Sequence, residues 1–342
     1  MEQSTSYDET ECTRRYQLST EAFDAPAVVV AMARRVAEAR RHADAGGLII
    51  EHGRGLSSAR RVGLLASSMN PLTCAHVALA DAARRFARLD ALCWVATLVT
   101  IDKESVERAT LIDRLIEGQM HARASGEGLL LLSGGLYVEQ ARAAHALLEP
   151  EVEISLIVGY DKVVQIFDRR YYTDRDAALS ELFAEAALIV APRDGASEAD
   201  LHTLLSAPEN RPFADRVSYC PLPDRFARDS SSEARALAST GEIGGPLRDL
   251  LTPEGLALTV TAQPYEPPRE PSTTSLGDRY TARQIILAAL SRLDEPQLAV
   301  TPKLSDLVAW SAENSGRGAA LRAWALDSAS DNRGLRAALE MR

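Results

Sequence analysis

The sequence predicts an α/β chain built on a doubly wound parallel sheet, with helical extensions at both ends. Three observations carry this expectation. From Val62 onward, short apolar runs recur at 62–66, 92–99, 128–132, 154–158, 187–191 and 216–220. Between most of them, apolar residues return at three- and four-residue spacing, over 75–88, 105–123, 137–148, 161–168, 176–186 and 197–206. The 342 residues, 46% apolar and 25% charged, suit one α/β domain plus an appendage. Strands apolar on both faces and separated by helices form a parallel sheet covered on both sides. Ligands of such sheets bind beyond the carboxyl ends of the strands, near the point where strand order reverses.

Taken in order, residues 1–22 are polar and acidic and read as a flexible lead-in without the apolar core of a signal peptide. Val28, Val29, Met32, Val36 and Ala39 mark a helix over 25–45 that stops at Gly46-Gly47, and 48–52 (LIIEH) reads as a short strand. After the alternating region, 229–237 is helical in pattern and 263–275 (QPYEPPREPSTTS) reads as a linker. Residues 280–293 and 303–341 are again helical. The expected organisation is an N-terminal extension over 1–60, a Rossmann-like domain over 61–266, and a linker with a helical extension over 267–342.

Composition excludes several classes. A net charge of −10 argues against a general nucleic-acid binder. No apolar run approaches the ~20 residues that cross a bilayer. Cys12, Cys74, Cys93 and Cys220 are scattered, which fits a reducing cytoplasm better than a disulfide framework or structural zinc. His42, His52, His121, His145 and His202 occur singly, without metal-ligand spacing, and no phosphate-binding P-loop or G-x-S-x-G elbow is present.

Four stretches point to phosphate chemistry. In 61–76 (RVGLLASSMNPLTCAH) an apolar run ends in a small-residue turn, followed by Thr73 and His76 at the start of a helical pattern. A hydroxyl and an imidazole there sit beside the free amides and positive dipole end that attract phosphate. A lone His is more often structural, but the strand, the Asn70-Pro71 turn and the T-x-x-H spacing together favour chemistry. In 229–237 (DSSSEARAL) serines open a helix with Arg235 in its first turn, either a plain N-cap or an anion site. In 153–172 a strand ends at Gly159 and Asp161 opens a helix, either as an N-cap or as a ribose ligand. The stretch 187–195 (ALIVAPRDG) repeats the strand-to-turn pattern with Arg193.

Together these stretches resemble the signatures of the nicotinamide/nicotinate mononucleotide adenylyltransferases, within the HIGH-type nucleotidyltransferase superfamily. The resemblance covers about 62–266 and includes two weaker segments, 101–122 on the mononucleotide side and 251–266 as a closing helix with a terminal Tyr. It implies adenylyl transfer from ATP, entering with Mg²⁺, to a pyridine mononucleotide. His76, Thr73 and Arg235 then carry catalysis. Ser67, Ser68, Met69, Asn70, Gly159, Asp161, Arg193, Ser231 and Ser232 bind nucleotide. The chain departs from the pattern at Ser67 and Ala75, where the family usually has Gly, and at Met69, where it has an aromatic. Asp229 and Ser232 replace Ile and Thr of the second signature. Another acceptor such as phosphopantetheine, or an idle nucleotide-binding regulator, stays open, as do amide versus acid mononucleotide and homo-oligomerisation.

Overall fold

All six apolar runs form strands, because residues with apolar side chains at every position can bury both faces of a pleated ribbon. In the computed structural model, residues 8–99, 108–149, 151–193, 195–223, 226, 229–241, 243–327 and 332–340 are described. The strands are β1 (Gly47–Glu51), β2 (Arg61–Ala66), β3 (Ala91–Thr97), β4 (Gly128–Leu132), β5 (Glu153–Gly159), β6 (Ala186–Ala191) and β7 (Val217–Tyr219). They form one sheet in the order β1-β4-β3-β2-β5-β6-β7. Every pairing is parallel except that of the edge strand β1, which runs antiparallel to β4. The mostly parallel, doubly wound α/β class read from the sequence is therefore borne out.

Helices occupy the connections. In chain order they begin with α1 (Glu9–Asp24) and α2 (Pro26–Arg41), then α3 (Cys74–Ala87), α4 (Leu111–Ser125), α5 (Tyr137–Leu147), α6 (Tyr160–Phe167), α7 (Arg175–Glu185), α8 (Glu198–Ser206) and α9 (Ser231–Ser239). The chain winds from β2 outward through β3 to β4, then returns to β5 on the other side of β2. This reversal makes the carboxyl ends of β2 and β5 the switch point. Leu65 pairs with Ile157, and Gly159 pairs with Ala191, so the residues following β2, β5 and β6 emerge along one edge.

Chain contacts form two compact units along lines other than the linear partition at 60 and 266. One comprises Ala37–Val106 and Gly118–Ser231, and the other Met1–Val36, Glu107–Glu117 and Ser232–Arg342. In the sheet unit, Leu64, Val95, Leu130, Leu132, Leu156 and Val158 pack on Val138, Ala141, Val163, Ile166 and Leu179. Each such buried aliphatic contributes about 1.5–3 kcal/mol. Phe183 stacks on Phe213 at 5.3 Å and on Phe167 at 5.9 Å. The buried Glu127 carboxylate accepts from Trp94 Nε1 (2.6 Å), Arg84 (2.6 Å) and Ser125 (2.9 Å), which ties α3 to the start of β4.

The helical unit corrects one expectation. Residues 9–22, read as part of a flexible lead-in, belong to α1, which is capped by Asp8, whose side chain accepts from Thr10 N–H. Arg15 on this helix makes a two-pronged ion pair with Glu254, at 2.8 and 2.9 Å, with both side chains nearly inaccessible to solvent. A partner 239 residues away leaves no local trace in a polar helix. Ala25 interrupts the helices because a residue before proline avoids helical backbone. Asp113 binds Arg283 (2.7 Å) and Tyr280 (2.7 Å), and Asp24 holds Ser305, joining the chain's two ends within this unit. Helix α4 starts at Leu111 rather than 105, and residues 101–107 of the segment read as the mononucleotide side lie outside the described residues.

Candidate functional site

The turn after β2 is fixed from inside. Ser67 N–H extends the β2–β3 ladder by donating to Val95 O (3.1 Å), and its hydroxyl accepts from Met69 N–H (3.1 Å). Met69 takes a left-handed backbone (φ 45°) and its side chain is fully buried. The Asn70–Pro71 peptide is cis, and Leu72 and Thr73 are also inaccessible to solvent. Of the turn residues expected to meet nucleotide, Met69 therefore turns its side chain into the core and can present only backbone. Asn70 is buried as well, whereas Ser67 and Ser68 are half-exposed.

Thr73 ends the turn in extended conformation (φ −105°, ψ 161°) and opens α3. Its N–H donates to His76 Nδ1 at 3.2 Å, and its hydroxyl lies 2.7 Å from the same nitrogen. A backbone N–H can only donate, so Nδ1 is an acceptor and carries no proton. A neutral ring then keeps its proton on Nε2. Burial pushes the His76 pKa down to about 4, aided by the positive charge of Arg193 and by His121. The imidazole at the head of this helix is thus neutral, with Nε2–H as the donor it can offer. Thr73 is buried beneath it and acts by orienting the ring.

Next along the edge, Gly159 closes β5 and caps α6. A Cβ at Gly159 would fall 2.7 Å from Asp161 Oδ1 and 3.6 Å from Arg193 Cβ, so a side chain there would displace its neighbours. Asp161 is exposed and pairs with Lys162 at 3.4 Å. Arg193 follows β6, and its guanidinium donates to Asp229 O at 2.8 Å. Ser231, the first residue of α9, donates from its hydroxyl to Pro71 O at 2.9 Å. Residues 160 apart in sequence thereby connect the second signature to the turn of the first.

The sheet unit thus brings together Thr73, His76, Gly159, Asp161, Arg193 and Ser231 with the Ser67–Asn70 turn. Ser232 and Arg235 belong to the helical unit, where Arg235 Nη2 donates to the Ser232 hydroxyl at 3.1 Å. There the Arg235 charge also acts on the buried Tyr265 phenol, which burial pushes well up. Among the described residues, no three His, Cys, Asp or Glu side chains gather to hold a metal. No helix among them is long and apolar enough to cross a membrane.

One feature was not legible in the sequence. A pocket in the sheet unit is lined by Leu136 and Tyr137 at the start of α5, and by Gln165, Ile166, Tyr171 and Tyr172. Gln165 Oε1 accepts from Lys162, and Tyr172 donates to Ile166 O. Burial raises the Tyr137 phenol, with the Asp161 charge second, so this pocket adjoins the β5 edge. The Tyr171-Tyr172 doublet was the only signal, and aromatic pairs are usually core.

No protein-family model matches the chain. Over 219 residues it is 25% identical to a probable nicotinate-nucleotide adenylyltransferase of Methylibium petroleiphilum, spanning 62% of this chain and 96% of that protein. Among solved structures, a Plasmodium falciparum nicotinic acid mononucleotide adenylyltransferase complexed with NaAD is 16% identical, with 60% of this chain and 97% of that chain covered and a TM-score of 0.44. A Thermotoga maritima TmcAL bound with α-thio ATP is 12% identical, with coverages of 82% and 78% and a TM-score of 0.35. The curated relative bears out the family resemblance drawn from the motifs.

Proposed function

We propose that the chain is a nucleotidyltransferase that joins the adenylyl group of ATP to a pyridine mononucleotide, nicotinate mononucleotide first among them. The observation that carries this reading is the neutral His76. Its Nδ1 is taken by Thr73, so Nε2–H is the ring's remaining donor, within reach of the charge of Arg193, which itself lies by Gly159. The similarity to a nicotinate-nucleotide adenylyltransferase supports the same reading.

In this proposal the acceptor's 5′-phosphate attacks the α-phosphorus in line, the bond to the β-phosphate oxygen breaks, and pyrophosphate leaves. No covalent enzyme intermediate forms, so the protein positions the reactants and stabilises charge. His76 Nε2–H donates to the α-phosphate oxygens as charge builds on them, and a pre-aimed donor is most effective there. Thr73 locks the ring for that task. Gly159 lets the nucleotide approach the backbone and Asp161 takes the ribose hydroxyls, with Arg193 adding positive charge. Ser231 braces the turn through Pro71. For Ser232 and Arg235 the resemblance alone supports a role, on the β- and γ-phosphates. Mg²⁺ enters as part of MgATP, since it binds readily through substrate phosphates and needs no protein cage.

The departures from the family pattern need not idle the site. Met69 lies wholly inside, and the Ser67 hydroxyl is engaged by Met69 N–H, so neither crowds a phosphate. The test is pyrophosphate release from ATP or CTP across an acceptor panel of nicotinate mononucleotide, nicotinamide mononucleotide, phosphopantetheine and FMN. Release with ATP and a pyridine mononucleotide supports the proposal. Tight ATP binding without release from any acceptor favours the regulator.

A further inference from the structure

We infer that Gly118 and Met69 form a positioning contact that sets the turn holding His76. The inference rests on the reaction proposed above for its kinetic consequence, and on geometry for the contact itself.

Gly118 lies in the middle of α4, seven residues from either end of a helix spanning Leu111–Ser125. Glycine is the least favourable residue in a helix interior after proline. No turn or cap calls for it there. A Cβ at Gly118 would fall 2.5 Å from Met69 Sδ, closer than real contacts allow, and a tight 3.3 Å from its Cε, so the buried thioether would have to shift. The glycine is a notch, and the Met69 thioether fills it.

Met69 is itself an unfavourable choice, since a side-chain-bearing residue at φ 45° pays a steric cost that glycine would not. Two residues that each violate local preference meet at one buried contact. Such paired violations persist where the surrounding structure requires a particular geometry. The turn around Met69 supplies the requirement. Its N–H is bound by Ser67 Oγ, and four residues on, Thr73 N–H fixes His76 Nδ1. A thioether is flexible enough to seat in an irregular gap where the family's aromatic would not enter a single-glycine notch. Seating it fixes where the turn lies, and with it the direction of Nε2–H. The Met69 side chain and Gly118 are both buried, so both act as positioning residues.

The test is a double-mutant cycle of Gly118→Ala, Met69→Ala and the pair, read in two ways. The first is kcat and the KM for ATP in adenylyl transfer. The second needs no activity: the ¹⁵N signals of the His76 imidazole, assigned by their loss in His76→Gln. Gly118→Ala is expected to lower kcat by about tenfold or more, with KM within about twofold, because a small misplacement of a catalytic donor is costly. It also shifts the Nδ1 and Nε2 signals. In the double variant the methyl occupies space the thioether has vacated, so kcat recovers by about threefold or more over Gly118→Ala and the signals move back. Unchanged imidazole signals in Gly118→Ala, or losses that simply multiply in the double variant, overturn the inference. If Gly118→Ala does not fold, Met69→Ala alone decides: displaced imidazole signals support the contact, and unchanged ones refute it. Should the wild type lack transfer activity, the proposed reaction fails while the imidazole signals still judge the contact.

Discussion

Protonating His76 should cost the folded protein stability over a defined acid range. Burial, with Arg193 and His121, holds its pKa near 4 against an ordinary value of 6.5. Between those two values the unfolded chain binds a proton that the folded site refuses. Stability therefore rises with pH across this window, is fully present above about 6.5, and is lost as pH falls toward 4. At about 1.4 kcal/mol per pH unit, integrating from pH 7.5 to 4.5 gives about 2.5 kcal/mol from this residue. His76→Gln removes the titration while keeping a polar side chain. Urea unfolding of both proteins at pH 7.5 and 4.5 should show the wild type losing about 2.5 kcal/mol more than the variant. An NMR titration of the assigned His76 ring should place its midpoint far below 6. Equal losses in the two proteins, or a midpoint near 6.5, would refute the neutral, half-buried imidazole from which the mechanism is drawn.

Three further outcomes are expected. His76→Ala should lower kcat by about 10²–10³ with little change in the KM for ATP, as removal of an oxyanion-type donor does; steady-state kinetics check it, and a near-normal rate dismisses the role. Gly159→Ala places a methyl 2.7 Å from Asp161 Oδ1 and should raise the KM or Kd for ATP by about tenfold, read by calorimetry, while the melting temperature stays nearly constant. Arg15→Met takes the two-pronged guanidinium partner from the buried Glu254 carboxylate in the helical unit, which should cost about 3–5 kcal/mol in thermal or urea unfolding. The double change Arg15→Met with Glu254→Leu should recover most of that loss.

How much of this was legible in the sequence varies with how local each cause is. The parallel strands were, because full burial on both faces writes itself as unbroken apolar runs. The antiparallel direction of β1 was not, since LIIEH pairs equally well either way and only its place beside β4 decides. Helix α1 hid because Arg15 finds Glu254 far along the chain. At the candidate site, T-x-x-H spacing marked the residues but not their electrostatics. The charge state of His76 depends on burial and on Arg193, which arrives from the end of β6. Met69 looked like a turn residue facing ligand, because nothing nearby reveals that Gly118 leaves room for it inside.

The most direct test of the central claim is the mass of the product formed from ATP, Mg²⁺ and nicotinate mononucleotide. The account predicts the deamido dinucleotide together with one equivalent of pyrophosphate, both falling about 10²–10³-fold in rate with His76→Ala. Recovery of unreacted mononucleotide at high enzyme concentration, or a dinucleotide formed equally fast without the imidazole, would contradict it.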